Sequence, residues 1–542
     1  MLEIGHYAYS GWVIGGVSIY MAVMVFIGWW ASHYVKGATD YIVAGRRLPY
    51  WMLVGTLVAT WFGAGPIMGG AANGYLFGMQ GVIFDPFSAA ICFLLTGIFF
   101  ARLMRRARFI TLGDVFVVRY GKTMGVFSII VLSIAEMGWV GSQLVAFGAI
   151  LNVFTGLPMA YGIIISCVVL IGYTYLGGMW AVTLTDVIQF LILTAALLIA
   201  FPLVIGHLGG WGSFVAKAGN WAELPTWAIT PVKGDAGYLG YTGSMGWLYY
   251  IAAWLSIAVG SICAQDLMQR VLAGKNETVT VRACYTSTGI YLTIGLIGPL
   301  LGIAMYAINP NLTIADTELI IPWMTAHFLP PYLAVFFVCG LFAVLMSSSD
   351  SAILASASLF GNNLQKMFKP DATDKDVLRW SRIMVPIVTI VALFIALRLQ
   401  TIYKLMVIAW TIILVGLFAS YAAAFFWKKA NHIGALASLF AGFGSWIMLI
   451  YHYLPATMEA NVGIVEEGKV YMDWAVWDAV YIASTWGFII SIVTLIVVSL
   501  LTQKINPPKP IVDTDGKPLA IKNWVGWGTA KWEKAMGIIK GK

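Results

Sequence analysis

Charge is what this sequence has least of. Asp, Glu, Lys and Arg make up 10% of its 542 residues, where a soluble domain carries about 25%. Hydrophobic residues fill 60%. That balance excludes a soluble enzyme or binding module and predicts an all-α membrane protein that crosses the bilayer many times. Cysteine is scarce as well. The five, Cys92, Cys167, Cys263, Cys284 and Cys339, stand singly in apolar runs, which excludes a disulfide framework and metal-ligand spacing. The six histidines show no metal spacing either. No nucleophile-elbow pattern occurs and no serine has a histidine set against it, so nothing points to an enzyme. No nucleotide-binding or signalling domain follows Leu501. The net charge of +8 calls for no nucleic-acid partner, because its distribution explains it.

With about 20 apolar residues as the ruler for a span, the chain reads as about 13 transmembrane helices. They lie near 10–32, 50–76, 79–101, 124–153, 157–175, 181–207, 244–268, 284–307, 331–360, 381–399, 402–427, 433–453 and 476–501. All but five of the 32 Lys and Arg then fall in loops on one side. The exceptions are Lys217, Lys233, Arg398, Lys404 and Lys469. Positive loops stay inside, which predicts the N-terminus outside and the C-terminus in the cytoplasm. The stub MLEIGHY is acidic rather than basic, so the first run reads as a retained span, not a cleaved signal. Short loops suit a bacterial inner membrane. Trp29, Trp30, Trp51 and Trp427 read as interfacial belts. Residues 1–502 form one transmembrane domain on this reading, and 503–542 a cytoplasmic tail. The stretch NWVGWGTAKWEKAMGIIKGK at its end mixes Trp, Met and Ile with lysines and suits a segment lying on anionic lipid.

What polarity there is, is concentrated. SSSDSAILASAS (347–358) sits inside a run otherwise fit to cross a bilayer. A carboxylate there costs roughly 2.5–3.5 kcal/mol on insertion scales. Hydroxyls around one negative charge suit a small hard cation such as Na⁺. For Ser351, Ser356 and Ser358, helix packing explains the serines equally well. Two spans are interrupted. The second reads LVATWFGAGPIMGGAANGYLFG, with Gly63, Gly65, Pro66, Gly69 and Gly70 in its middle. Proline lacks an N–H and glycine costs about 1 kcal/mol in a helix, so unwound backbone is expected, tolerated only where it lines a cavity. The seventh, IAVGSICAQDLMQR, is a weaker counterpart with Gly260, Ser261, Gln265 and Asp266. Each break opens a set of five spans, about 50–207 and about 244–427. An odd number inverts the second set, the arrangement of inverted-repeat secondary transporters. Spans 10–32, 433–453 and 476–501 lie outside the two sets.

Four stretches now carry a resemblance: DYIVAGRRLPYW (40–51), TYLGGMWAVTLTDVIQ (174–189), QRVLAGK (269–275) and AVLMSSSDSAILASASLF (343–360). The chain resembles the sodium:solute symporter family over most of its length. The resemblance implies a LeuT-like 5+5 inverted-repeat core. It implies a sodium site of the Ala59, Phe62 and Val344 carbonyls with the Ser347 and Ser348 hydroxyls. It implies a second cation site at Asp186, with Asp350 and Ser351. Within the family, ATWFGAG (59–65), AEMGW (135–139) and the 347–358 spacing are similar to the high-affinity choline transporter branch. That implies a substrate site of Trp61, Gly63, Gly65, Glu136, Trp139, Gln143 and Gln265. A quaternary ammonium sits well over indole faces. One departure stands out: the tryptophan expected just before Gln265 is Ala264. A smaller amine, a betaine-like zwitterion or an amino acid would also fill the space.

The expected function is sodium-coupled import of a small polar, amine-bearing solute by alternating access. The alternatives are a monocarboxylate or sugar symporter, or a membrane solute sensor. Glu136 meets a substrate amine or a sodium-linked network, or else the backbone at a helix contact. Asp85, before Pro86, reads as a helix-start or gating residue. Asp266 and Arg270 read as an i,i+4 structural pair.

Overall fold

The structure, a computed structural model, describes residues 7–221, 224–232, 237–460, 465–466, 469–470, 472–521 and 524–525. Among these, eleven helices are long and apolar enough to cross a membrane, and Tyr50–Trp61 and Met159–Gly172 are shorter apolar helices. Two antiparallel hairpins of two-residue strands, at 220–225 and 465–470, sit in the long connections. The chain divides differently from the sequence reading at one place. Gly65–Ala107 runs on as a single apolar stretch of 43 residues, because turns at 78–87 join the far half of the first interrupted helix to the next span.

Both interruptions are where the glycines put them. Tyr50–Trp61 stops at Phe62, whose φ −80 and ψ 46 leave the helix. The chain winds again through a wide turn, Gly65–Gly69, into Gly70–Phe77. The second interrupted helix runs Gly243–Ala258, tightens over Gly260–Cys263, extends at Ala264 (φ −89, ψ 141) and resumes as Gln265–Ala273. The serine-rich helix, Pro331–Ser358, has proline at its first position, where the missing N–H costs nothing. Its 28 residues reach about 42 Å, more than a hydrocarbon core. It packs on Lys122–Thr155, on the helix carrying Asp186 and on Tyr50–Trp61. His432–Ala460 and Met472–Leu501 pack chiefly on each other.

In a bilayer, lipid tails compete with any apolar side chain, so close helix contact depends on small residues. Gly70 and Gly74 on one helix face Gly298 and Gly302 on Ile297–Ile308. A methyl on Gly74 would collide with the Pro299 carbonyl, one on Gly298 with the Pro66 carbonyl, and one on Gly302 with the Ala71 carbonyl. The far half of the first interrupted helix is held by this glycine-on-glycine crossing.

The tail folds back on the same face as the basic loops. Thr514 donates its N–H to the Ala107 carbonyl at 3.2 Å, and Arg108 pairs with Asp515 at 3.1 Å. Most of the lysine- and tryptophan-bearing segment expected to lie on lipid falls outside the described residues. On the opposite face a cavity of about 310 Å³ is lined by Phe84, Tyr249, Tyr403, Tyr481, Trp477 and Glu318, among others. Glu318 accepts the Ile402 N–H at 3.3 Å. Burial pushes its carboxyl from the ordinary 4.5 up to about 7.

Two outcomes follow from this packing. Gly302→Ala is expected to lower the thermal midpoint of the purified protein by several degrees, while Gly289→Ala, which meets nothing within 4 Å, leaves it unchanged; equal midpoints would remove the close crossing. The folded protein holds the Glu318 proton more tightly than the unfolded chain does. The stability this gives is whole below about 4.5 and is lost as pH rises through about 7. Glu318→Gln is therefore expected to flatten the midpoint-against-pH curve over that window, and an unaltered slope would assign the titration elsewhere.

Candidate ion and substrate site

The first interrupted helix turns its Thr56–Thr60 face to the serine helix. Ser348 Oγ donates to the Ala59 carbonyl at 3.2 Å. Gly63 lies between Ser348 and Gln143: a methyl there would come within 2.6 Å of Ser348 Oγ and of Gln143 Oε1. Gln143 is pinned by the Ala64 N–H, which donates to its Oε1 at 2.8 Å. The structure thus brings Ala59, Gly63, Gln143 and Ser348 together at the first break. Phe62 is the residue at which the helix ends. Val344 is buried one turn before Ser347 and Ser348.

One turn away, Asp186 accepts from Thr56 Oγ1 and from Ser347 Oγ, each at 2.5 Å. Ser351 lies 3.2 Å from Thr60 Oγ1 and accepts from Arg270 Nη2. Asp350 is fully buried beside it. Five hydroxyls, those of Thr56, Thr60, Ser347, Ser348 and Ser351, therefore form a belt between two helices, with Asp186 at one end. Hard oxygens of this kind are ligands for Na⁺ and not for softer metals. Thr56 and Thr60 were missed in the sequence; their i,i+4 spacing on a face with Ser-rich company was the available signal.

The second break reaches the first through Trp61. Its indole Nε1 donates to Asp266 Oδ2 at 2.9 Å. The Asp266 N–H, freed by the break, donates to Glu136 Oε1 at 3.0 Å. Arg270 takes the Asp266 backbone carbonyl at 3.3 Å and Gln269 Oε1 at 3.2 Å. Asp266 is thus no mere partner of Arg270: its carboxylate ties the two interrupted helices. Of the two readings of Glu136, the backbone contact is observed: it accepts the Asp266 N–H with one oxygen, while Oε2 is buried with no hydrogen-bond partner.

Indole faces gather at the same point. The Trp61 ring lies 5.7 Å from that of Trp410, tilted by 30°, and Trp139 lies 5.9 Å from Trp410. Phe93 lies 5.0 Å from Trp61. Trp139 Nε1 is buried without a partner, and such groups are rare unless a ligand or water meets them. Trp410 comes from Ile402–Ile413 and fills out the aromatic cluster that Ala264 leaves short. A methyl on Gly65 would lie 3.0 Å from Asp85 Oδ2. Asp85 is thus buried against the first break. Gln265 is not brought to this cluster: its Oε1 accepts the Leu112 N–H at 2.7 Å and its Nε2 donates to Ser358 Oγ at 3.3 Å.

Carboxyl groups outnumber cationic side chains here. Asp85, Glu136, Asp186, Asp266 and Asp350 are all buried around the two breaks, and Arg270 is the guanidinium set among them. Carboxyl groups buried at this density are costly unless they are protonated, hydrogen-bonded or met by a cation.

A family model described as the sodium:solute symporter family matches residues 41–442. The chain belongs to this family. It is an integral membrane protein and a sodium-coupled symporter of a small polar solute, not an enzyme. It is 27% identical over 446 residues to the human high affinity choline transporter 1, covering 79% of this chain and 74% of that protein. It is 28% identical over 428 residues to a sodium/pantothenate symporter of Haemophilus influenzae, covering 76% and 84%. Among solved structures, a Na⁺-coupled sialic acid symporter in a substrate-bound, outward-open state superposes with a TM-score of 0.68 at 19% identity, over 92% of this chain and 98% of that one. That likeness bears out the LeuT-like helical core.

Gly63→Ala is expected to abolish the thermal stabilisation that sodium gives the purified protein, since the methyl displaces Ser348 and Gln143 together. Ser348→Ala should raise the sodium concentration needed for half the effect about tenfold, the loss of one charge-assisted contact. Sodium titrations that match the parent protein in both variants would move the ion away from Ala59 and Ser348.

Proposed function

We propose that the chain carries a small organic cation of the choline class inward, driven by sodium. The observation that carries this is the cluster of Trp61, Trp139 and Trp410 beside the Asp266 and Glu136 carboxylates. An indole face attracts a quaternary ammonium by about 2 kcal/mol or more once water is removed. Buried carboxylates add to this and oppose an anion. A pantothenate-like carboxylate therefore fits this lining poorly. The choline transporters among the relatives agree with the reading.

Sodium binds at the Ala59, Phe62 and Val344 carbonyls and the Ser347 and Ser348 hydroxyls, linking the first interrupted helix to the serine helix. A second sodium site lies at Asp186, with Asp350 and Ser351, where Ser347 touches both. Substrate sits at Trp61, Trp139 and Trp410, with Gly63, Gly65 and Gln143 shaping the break. Residues 50–207 and 244–427 act as the two halves of one transporting unit, the N-terminus outside and the C-terminus in the cytoplasm of a bacterial inner membrane, as the Lys and Arg distribution supports. Each sodium entering across 100 mV releases about 2.3 kcal/mol. The energy is usable because sodium and substrate each favour one state of the joined helices; equal affinity for both would shift nothing.

Uptake of radiolabelled choline into proteoliposomes, with an inward gradient of sodium or of potassium, tests the reading. Sodium-dependent uptake is expected, with Trp410→Ala raising the half-saturating choline concentration about tenfold or more and Trp410→Phe recovering part of the loss. Asp186→Asn should make the sodium dependence less sigmoidal. Pantothenate uptake without choline uptake or competition would overturn the substrate class and leave the symporter.

A further inference from the structure

A pocket of about 220 Å³ lies far from the ion and substrate site, on the face that carries the basic loops. It is lined by Arg119, Lys122, Thr123, His432, Asn506 and Lys509, with Tyr120, Gly121 and Pro507. No carboxylate lines it among the described residues. Arg119 forms its floor and is 3% exposed. Its Nη2 donates to the Trp427 carbonyl at 3.1 Å and the Lys428 carbonyl at 3.2 Å, which fixes the guanidinium. Its Nε and Nη1 are buried with no partner, and so is His432 Nδ1. A buried guanidinium with idle donors is expensive unless an acceptor meets it.

The backbone supplies more positive potential. The 34-residue helix Lys122–Thr155 begins at the pocket, and no side chain caps it. Gly121 holds φ +90 with open space at its missing Cβ. The first N–H groups of such a helix are unsatisfied and carry about half a positive charge between them. The 29-residue helix His432–Ala460 also begins here. Its first turn is capped by Asn431, which accepts the Gly434 N–H at 2.9 Å, and Asn506 accepts the His432 N–H at 3.1 Å. That fixes Asn506 and His432 at the rim. Lys122, Thr123 and Lys509 are exposed at the mouth.

We propose that this pocket binds a phosphate group, its oxygens meeting Arg119 Nε and Nη1 and the open N-terminus of Lys122–Thr155, with Lys122 and Lys509 closing over the charge. Planar guanidinium donors and a helix N-terminus are the two devices that recognise phosphate oxygens. The group belongs either to an anionic lipid headgroup at the membrane surface or to a soluble phosphate. It would bridge the Gly113–Tyr120 helix, which Arg119 ties to the Trp427 and Lys428 carbonyls, and the start of His432–Ala460.

The test uses full-length protein in detergent, probed by thermal shift and native mass spectrometry with inorganic phosphate, short-chain phosphatidylglycerol and short-chain phosphatidylcholine. Saturable stabilisation is expected, weakened about tenfold in Lys122→Gln/Lys509→Gln and abolished in Arg119→Gln. The matched change Lys275→Gln/Lys375→Gln, exposed elsewhere, should leave it intact. Stabilisation by phosphatidylglycerol and not by inorganic phosphate assigns a lipid headgroup; stabilisation by both assigns a soluble phosphate. No saturable effect from either, an effect equal to that of phosphatidylcholine, or one that survives Lys122→Gln/Lys509→Gln, overturns the proposal. The surface pair keeps the test decisive even if Arg119→Gln fails to fold.

Discussion

Five carboxylates and one guanidinium buried where two helices break set the terms for the rest of the molecule. In hydrocarbon each unbalanced charge costs several kcal/mol, and the protein meets only part of that itself. Asp186 is served by two hydroxyls, Asp266 by an indole and its own neighbour's N–H, and Glu136 by a backbone N–H at the break. These bonds orient the carboxylates without neutralising them. On the proposed function, neutralisation falls to what enters, sodium and an organic cation, and that dependence couples the two.

The breaks are therefore not weaknesses in otherwise regular spans. An unbroken helix would spend the Asp266 N–H on a carbonyl one turn back; the extended Ala264 frees it for Glu136. At the other break, departure from helix after Trp61 lets Ala64 donate to Gln143 instead. Both liberated donors land on Lys122–Thr155, so that helix registers the position of each interrupted helix at once. The glycine crossing at Gly70, Gly74, Gly298 and Gly302 then holds the far half of the first interrupted helix, while Gln265, bonded to Leu112 and Ser358, holds the second at the opposite end. A shift of either half-helix changes what Asp266, Trp61 and Gln143 can reach, which gives ligands at the centre a mechanical hold on both faces.

The sequence exposed those parts whose chemistry was locally out of place. Six serines and an aspartate in an apolar run, and a proline among four glycines, have few meanings in a membrane, so Ser348 and the first break were legible, while Ala59 came only through the family resemblance. Trp410 was not. It stands alone in an apolar run, where a tryptophan reads as packing or as an interfacial belt, and only the fold brings it 5.7 Å from Trp61. Asp85 was legible only in part: it stands in the turn that opens Ser88–Leu95, as a carboxylate before a proline suggests, but its closeness to Gly65 is tertiary. Gln265 erred the other way. Its place in the second break suggested the cluster, yet side chains leave successive positions of a helix about 100° apart, so Asp266 faces Trp61 while Gln265 faces Leu112. Span boundaries near 76–83 could not be read because the turns there keep the apolar run unbroken.

Arg270 has the last part in this balance. It is the cation the protein brings with it, and it stands against Ser351, beside Thr60 in the hydroxyl belt. A fixed guanidinium there lowers the cost of Asp350 and Asp186 when no ion is bound, so the empty transporter is not forced to collapse onto its own carboxylates. The same fixed charge repels a sodium ion more strongly the nearer it comes to Ser351. On the proposed reading, that draws an ion at the second site toward the Asp186 and Asp350 carboxylates and away from the guanidinium. A neutral residue at 270 would remove that repulsion and leave the buried carboxylates without their fixed counter-charge.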